Sequence, residues 1–97
     1  MIALVAILKI RPGMEELVAN ASIKMAEAVR ASEKDCLLYE PYVPLEGKSD
    51  IYILEKYTDL NALDYHRKSA HYIEFRNAVK DALIEAPQVT ILKAFEE

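Results

Sequence analysis

The sequence holds one cysteine, Cys36, no tryptophan and only two glycines in 97 residues. One cysteine cannot form an internal disulfide, so no disulfide framework holds this fold, and a reducing, cytoplasmic setting is expected. No apolar run approaches the roughly 20 residues of a membrane-spanning helix. The apolar stretch at the start, residues 1–8, lacks a basic leader and runs into Lys9 and Arg11, as a strand does and a signal peptide does not. Positive charge is also scarce. Twelve Lys and Arg face sixteen Asp and Glu, a net charge of −4, which argues against a general nucleic-acid binder. Phosphate-loop, Ser-His-Asp and Cys-x-x-Cys signatures are missing.

What the chain has in abundance is apolar side chains, 53% of residues. That excludes a disordered chain, and with the length it predicts one domain over residues 1–97. A chain this small buries only about 60–65% of its unfolded surface, so part of the apolar excess is expected to face a partner.

Periodicity gives the elements. Ile2–Ile10 is almost wholly apolar and predicts a strand buried on both faces, ended by Pro12-Gly13. From Met14 to Val29 apolar residues recur at helical spacing, with Glu15 and Glu16 complementing the dipole of the first turn. Cys36–Val43 and Ile51–Tyr57 alternate as strands around a Gly-containing loop, and Pro41 and Pro44 place the former at an edge or bulge. Thr58 or Asp59 caps a short helix with Leu60, Leu63 and Tyr65. Ser69 opens a longer one, with Tyr72, Phe75, Val79 and Leu83 on one face. Pro87 ends it before a last strand, Val89–Phe95. The order β-α-β-β-α-β is that of an α+β, ferredoxin-like fold: an antiparallel four-stranded sheet with its helices on one face. Two helices cover one sheet face only, yet all four strands carry apolar residues on both. Burial of the other face against a second copy predicts a homodimer.

Both histidines fall in His66-Arg67-Lys68-Ser69-Ala70-His71, at the break between the helices, with Glu55 and Tyr57 ending the preceding strand. A neutral imidazole accepts protons near pH 7, Arg67 or Lys68 can stabilise negative charge, and Glu55 can orient an imidazole. The same residues also suit a bland reading, with His66 in a capping role and its basic neighbours solvated. The two histidines with Glu55 are also the residue types of a non-haem iron site. A separation of five positions from His66 to His71 is not one-turn spacing, however, and Ser69 interrupts the helix, so no metal ligation is expected. Cys36, among apolar neighbours, reads as an inert core thiol. Tyr39, Tyr42, Tyr52 and Tyr57 share the paired central strands, as rim packing residues or as walls for a flat aromatic ligand.

Four segments occur in order: KIRPGMEEL (Lys9–Leu17), EKDCLLYE (Glu33–Glu40), EKYTD (Glu55–Asp59) and HRKSAH (His66–His71). Together they resemble the antibiotic biosynthesis monooxygenase domain family of dimeric α/β barrels, over about residues 1–95. The resemblance implies a ferredoxin-like subunit, sheet-to-sheet homodimerisation and a pocket between sheet and helices. Family chemistry is mixed: cofactor-free oxygenation of quinols or anthrone-like polyphenols, isomerisation of a phosphorylated ketone, and haem degradation. Tyr57 stands where many members have tryptophan, Ala70 replaces a common proline and Asp35 a glycine. Haem-degrading members use an Asn, Trp and His set. This chain has no tryptophan and no asparagine in its first strand, which sets haem aside. The resemblance implies an oxygenase without cofactor or metal that acts on a small aromatic or keto substrate. His66 is then the base, with Glu55 orienting it and Tyr39, Tyr57, His71 and Arg67 around the substrate. A ketone/enol isomerase and a non-catalytic binding dimer are the alternatives.

Overall fold

The computed structural model describes residues 1–95. In chain order the elements are β1 (Ile2–Leu8), α1 (Glu15–Ser32), β2 (Cys36–Tyr42), β3 (Ile51–Tyr57), α2 (Leu60–Lys68), α3 (Ala70–Val79), a 3₁₀ turn (Lys80–Ala82) and β4 (Gln88–Lys93). The strands form one antiparallel sheet in the order β2-β3-β1-β4. This is the expected ferredoxin-like α+β fold, with the second helical unit split in two.

Register decides what reaches the helices. Leu4 pairs with Glu55 and Ala6 with Ile53, while Tyr39 pairs with Glu55 from the other side. Because side chains alternate along a strand, Leu4, Ala6, Leu8, Tyr39, Ile51, Ile53, Glu55 and Tyr57 all point to the helix layer, and all are buried. Val18, Met25, Ala26 and Val29 of α1 and Phe75 and Val79 of α3 cover them. Each such aliphatic or aromatic side chain contributes about 1.5–3 kcal/mol on burial. β2 is an edge strand, a position that tolerates Pro41, and a bulge lies between Cys36 and Leu38.

Local chemistry sets the boundaries. The turn before α1 uses Gly13 at φ 90°, a left-handed conformation suited to glycine, and its N–H donates to Glu15 Oε1 at 3.0 Å. Asp59 caps α2 by accepting from the Ala62 N–H at 2.9 Å. Ser69 ends α2 and starts α3: its hydroxyl donates to the His66 carbonyl at 2.7 Å and accepts from the Tyr72 N–H at 3.2 Å. Extended backbone at Ser69 (φ −69°, ψ 151°) turns the chain there.

Several boundaries differ from expectation, two of them for a shared reason. β1 stops at Leu8 rather than Ile10, and α3 stops at Val79 rather than Leu83. Ile10 and Leu83 instead form a bridge of their own. Arg11 N–H donates to the Ala82 carbonyl and Ile84 N–H to the Lys9 carbonyl, each at 2.9 Å. That pairing needs extended backbone at Leu83 (φ −99°, ψ 146°), which no helix allows. β4 spans Gln88–Lys93, and Phe95 lies beyond it, fully exposed.

The opposite sheet face carries Ala3, Val5 and Ile7, which are only half-buried, so β1 is closed on its helix side alone. Tyr42, Tyr52 and Leu92 on the same face are exposed. No helix among the described residues is long and apolar enough to cross a membrane.

Candidate active site

His66 occupies the last turn of α2 and shares that helix's buried face with Ala62 and Leu63. Only 2% of it is exposed. Its Nδ1 lies 3.0 Å from both carboxylate oxygens of Glu33, the residue that follows α1. Glu33 is held there by its own backbone: its N–H donates to the Val29 carbonyl at 2.9 Å and its carbonyl accepts from the Cys36 N–H at 3.2 Å. The side chain therefore turns inward, buried, and its Oε2 also contacts His71 Nε2 from the first turn of α3. Carboxylate oxygens accept, so Nδ1 of His66 carries a proton and Nε2 keeps a lone pair.

That lone pair faces the sheet. Nε2 of His66 is 3.9 Å from Glu55 Oε1, and the Tyr57 hydroxyl donates to the same oxygen at 2.6 Å. Rings surround the imidazole, with Tyr72, Tyr57 and Tyr39 centroids at 5.2, 5.4 and 5.5 Å. Burial holds the His66 pKa below the usual histidine range, against the raising effect of Glu33. In the Glu33–His66 contact the ring Nδ1–H donates and the carboxylate accepts. Burial pushes the Glu55 carboxyl up to about 7, opposed by the Tyr57 hydrogen bond and by Arg67. The phenols of Tyr39 and Tyr57 are pushed well upward, first by burial and then by the charge of Glu55, so both stay protonated.

A cleft between sheet and helices is lined by Tyr39, Glu55, His66, Arg67, Tyr72 and Arg76, among others. Its interior measures about 40 Å³, room for one or two waters with the side chains as they stand. Arg76 Nη1 donates to the Tyr72 hydroxyl at 3.2 Å, and its guanidinium carbon lies 6.0 Å from that ring's centroid. A larger hollow of about 420 Å³ lies on another side of Glu33, bordered by Asp35, Cys36, Asp59 and Tyr65, and His66 does not line it.

Of the residues singled out from the sequence, Glu55, His66, Tyr39 and Arg67 meet at the cleft. Tyr57 sits behind Glu55, fully buried, and reaches the site only through its hydroxyl. His71 borders a separate hollow of about 130 Å³ with Lys24 and Glu74, and it joins the cluster through Glu33. The spacing argument against bringing the two histidines together fails, because the turn at Ser69 swings α3 so that both rings meet one carboxylate. Glu33 itself escaped sequence reasoning, as did the contact of Tyr72 with the imidazole. An acidic residue between Ser32 and Lys34 looks solvated, and no local pattern marks it as buried.

Fold and sequence comparisons agree. The profile of the antibiotic biosynthesis monooxygenase family matches residues 1–78. Rv0793 of Mycobacterium tuberculosis is 30% identical over 96 residues, covering 99% of this chain and 93% of that protein. Its structure aligns with a TM-score of 0.90 at 29% identity, over 99% of this chain and 96% of the other. A Caulobacter crescentus structure bearing the family's name aligns at 0.92 with 26% identity, covering 98% and 90% of the two chains. A conserved Methanosarcina mazei protein aligns at 0.88 with 25% identity, covering 95% and 90%. Matched over most of its length in sequence and over nearly all of it in fold, this chain belongs to the antibiotic biosynthesis monooxygenase family.

Proposed function

We propose that the protein is a cofactor-independent monooxygenase of an electron-rich phenol or quinol, with His66 as the base. One observation carries this reading: an imidazole whose Nδ1 proton is held by buried Glu33 and whose Nε2 lone pair opens on an aromatic-walled cleft. Nε2 removes the phenolic proton. The phenolate gives one electron to dioxygen, the resulting radical pair joins as a peroxide on a ring carbon that bears hydrogen, and the His66 imidazolium returns its proton to make the hydroperoxide. Loss of that hydrogen as a proton, with cleavage of the O–O bond, leaves a quinone carbonyl. One oxygen atom stays in the product and the other leaves as water.

The remaining residues have distinct tasks. Tyr39 packs against the substrate ring, Glu55 hydrogen-bonds a substrate oxygen opposite His66, and Tyr57 holds Glu55 in place. His71 steadies Glu33, and Arg67 at the cleft mouth balances the phenolate charge. A ring enters by displacing the half-buried side chains of Tyr72 and Arg76, after which the closed cleft shields the peroxide from water.

Menadiol oxidation under air and under nitrogen, with wild type and His66→Ala, tests the assignment. The reading predicts oxygen-dependent turnover that the substitution removes. Equal rates for the two proteins would discard His66 as base. Arg67 and Arg76 at one cleft also support a second reading, a proton shift alpha to the ketone of an anionic metabolite, and turnover indifferent to dioxygen would select it. Saturable ligand-induced thermal stabilisation without turnover would instead identify a passive binding domain.

The working unit in this reading is a cytoplasmic homodimer. The sheet face opposite the helices bears Ala3, Val5, Ile7, Leu54 and Leu92, an apolar surface that a second copy would cover. Light scattering at micromolar concentration should give twice the chain mass, and a monomer mass would end the dimer reading.

A further inference from the structure

Glu33 presents one buried carboxylate to two imidazoles. Nδ1 of His66 and Nε2 of His71 both touch it, and the three ligating atoms lie within 4.8 Å of one another. We propose that Glu33, His66 and His71 form a binding site for a divalent first-row metal ion such as Zn²⁺.

The donor set is the first reason. Two imidazole nitrogens and one carboxylate oxygen are a ligand set used for zinc and for non-haem iron, and three protein ligands leave coordination positions open. Bonds of about 2.0–2.1 Å to a tetrahedral ion place its ligands about 3.3 Å apart. The 3.0 Å between His66 Nδ1 and each Glu33 oxygen already approaches that spacing. His71, with 21% of its side chain exposed, has room to complete the set.

Charge is the second reason. Glu33 is met by imidazoles, and no lysine or arginine hydrogen-bonds to it among the described residues. The hollow of about 420 Å³ that reaches Glu33 is bordered by Asp35 and Asp59 against one cation, Lys34, so its lining carries a net negative charge that favours a cation.

The outer contacts are the third reason. With Nδ1 of His66 on the ion, the ring proton resides on Nε2, which faces Glu55 Oε1 at 3.9 Å. A metal-bound histidine whose other N–H points to a carboxylate is the usual supporting arrangement, and Tyr57 in turn holds Glu55. The same tautomer removes the lone pair that the oxygenation needs. Ion and oxygenation therefore exclude one another, a consequence that rests on the oxygenase reading, whereas the site does not.

Chelator-treated full-length protein without a polyhistidine tag should take up one Zn²⁺ per chain by calorimetry. Co²⁺ should give visible bands of low-coordinate geometry. His71→Ala and Glu33→Gln, each with a wild-type circular dichroism spectrum, should bind at least about tenfold more weakly. Absence of saturable binding, or unchanged affinity in both variants, would overturn the proposal. If the variants do not fold, ¹⁵N shifts of His66 in the wild type decide instead. Saturating Zn²⁺ should move the ring proton from Nδ1 to Nε2, and an unchanged spectrum would refute the site whatever the outcome of the menadiol assay.

Discussion

Glu33 and His66 stand 33 positions apart in the chain and meet at 3.0 Å, carboxylate to Nδ1, with both side chains almost wholly enclosed. The contact ties the end of α1 to the end of α2, and it determines which nitrogen of His66 is free to act.

Removal of Glu33 should therefore act through His66. Loss of a general base lowers turnover by about 10²–10⁴-fold, and Glu33→Ala should approach the His66→Ala loss because the tautomer is no longer held. Groups that act as a unit are not additive. Steady-state kinetics on menadiol should show the double variant no slower than His66→Ala.

Tyr57→Phe deletes a buried hydroxyl that donates to Glu55 at 2.6 Å. Leaving the carboxyl without that donor should cost about 1–3 kcal/mol in denaturant unfolding. Since the Tyr57 hydrogen bond lowers the Glu55 pKa, its loss should raise that pKa further, readable from the carboxyl ¹³C shift on titration.

Glu55 gives stability a pH slope. Its folded pKa of about 7 lies above the ordinary 4.5, so the folded state favours the protonated form. The associated stability is fully present below pH 4.5 and is lost as pH rises through 7, about 3 kcal/mol in all. In metal-free buffer the unfolding free energy of Glu55→Gln, relative to wild type, should improve between pH 4 and pH 8. A flat difference across that range would contradict the assigned shift.

Cys36 should be a slow thiol. Burial, then the charge of Glu33, pushes it from 9.0 up to about 11, so its thiolate fraction at pH 8 falls roughly 10²-fold. Iodoacetamide should label the native protein correspondingly more slowly than the unfolded chain.

Much of this molecule was legible from residue order. Helical and strand periods are local properties, and they located β1 to β4 and the helices to within a few residues. Errors fell where a distant segment intervened. Ile10 and Leu83 continue the patterns of β1 and α3, but their mutual pairing pulls both out of those elements. Ser69 announced itself as a cap because capping is a contact with the next few residues.

The candidate site was legible only in part. His66, Glu55, Tyr39 and Arg67 were marked by residue type at strand and helix ends, positions that face a sheet-helix cleft once the order of elements is known. By itself the sequence determined the elements, their order and the histidine pair, since each depends on neighbours close in the chain. Only the tertiary structure decided that Glu33 turns inward, that both imidazoles meet on its carboxylate and that Nε2 of His66 faces Glu55. Those facts depend on how the end of α1 docks against the break at Ser69, a matter of long-range packing that residue spacing does not encode.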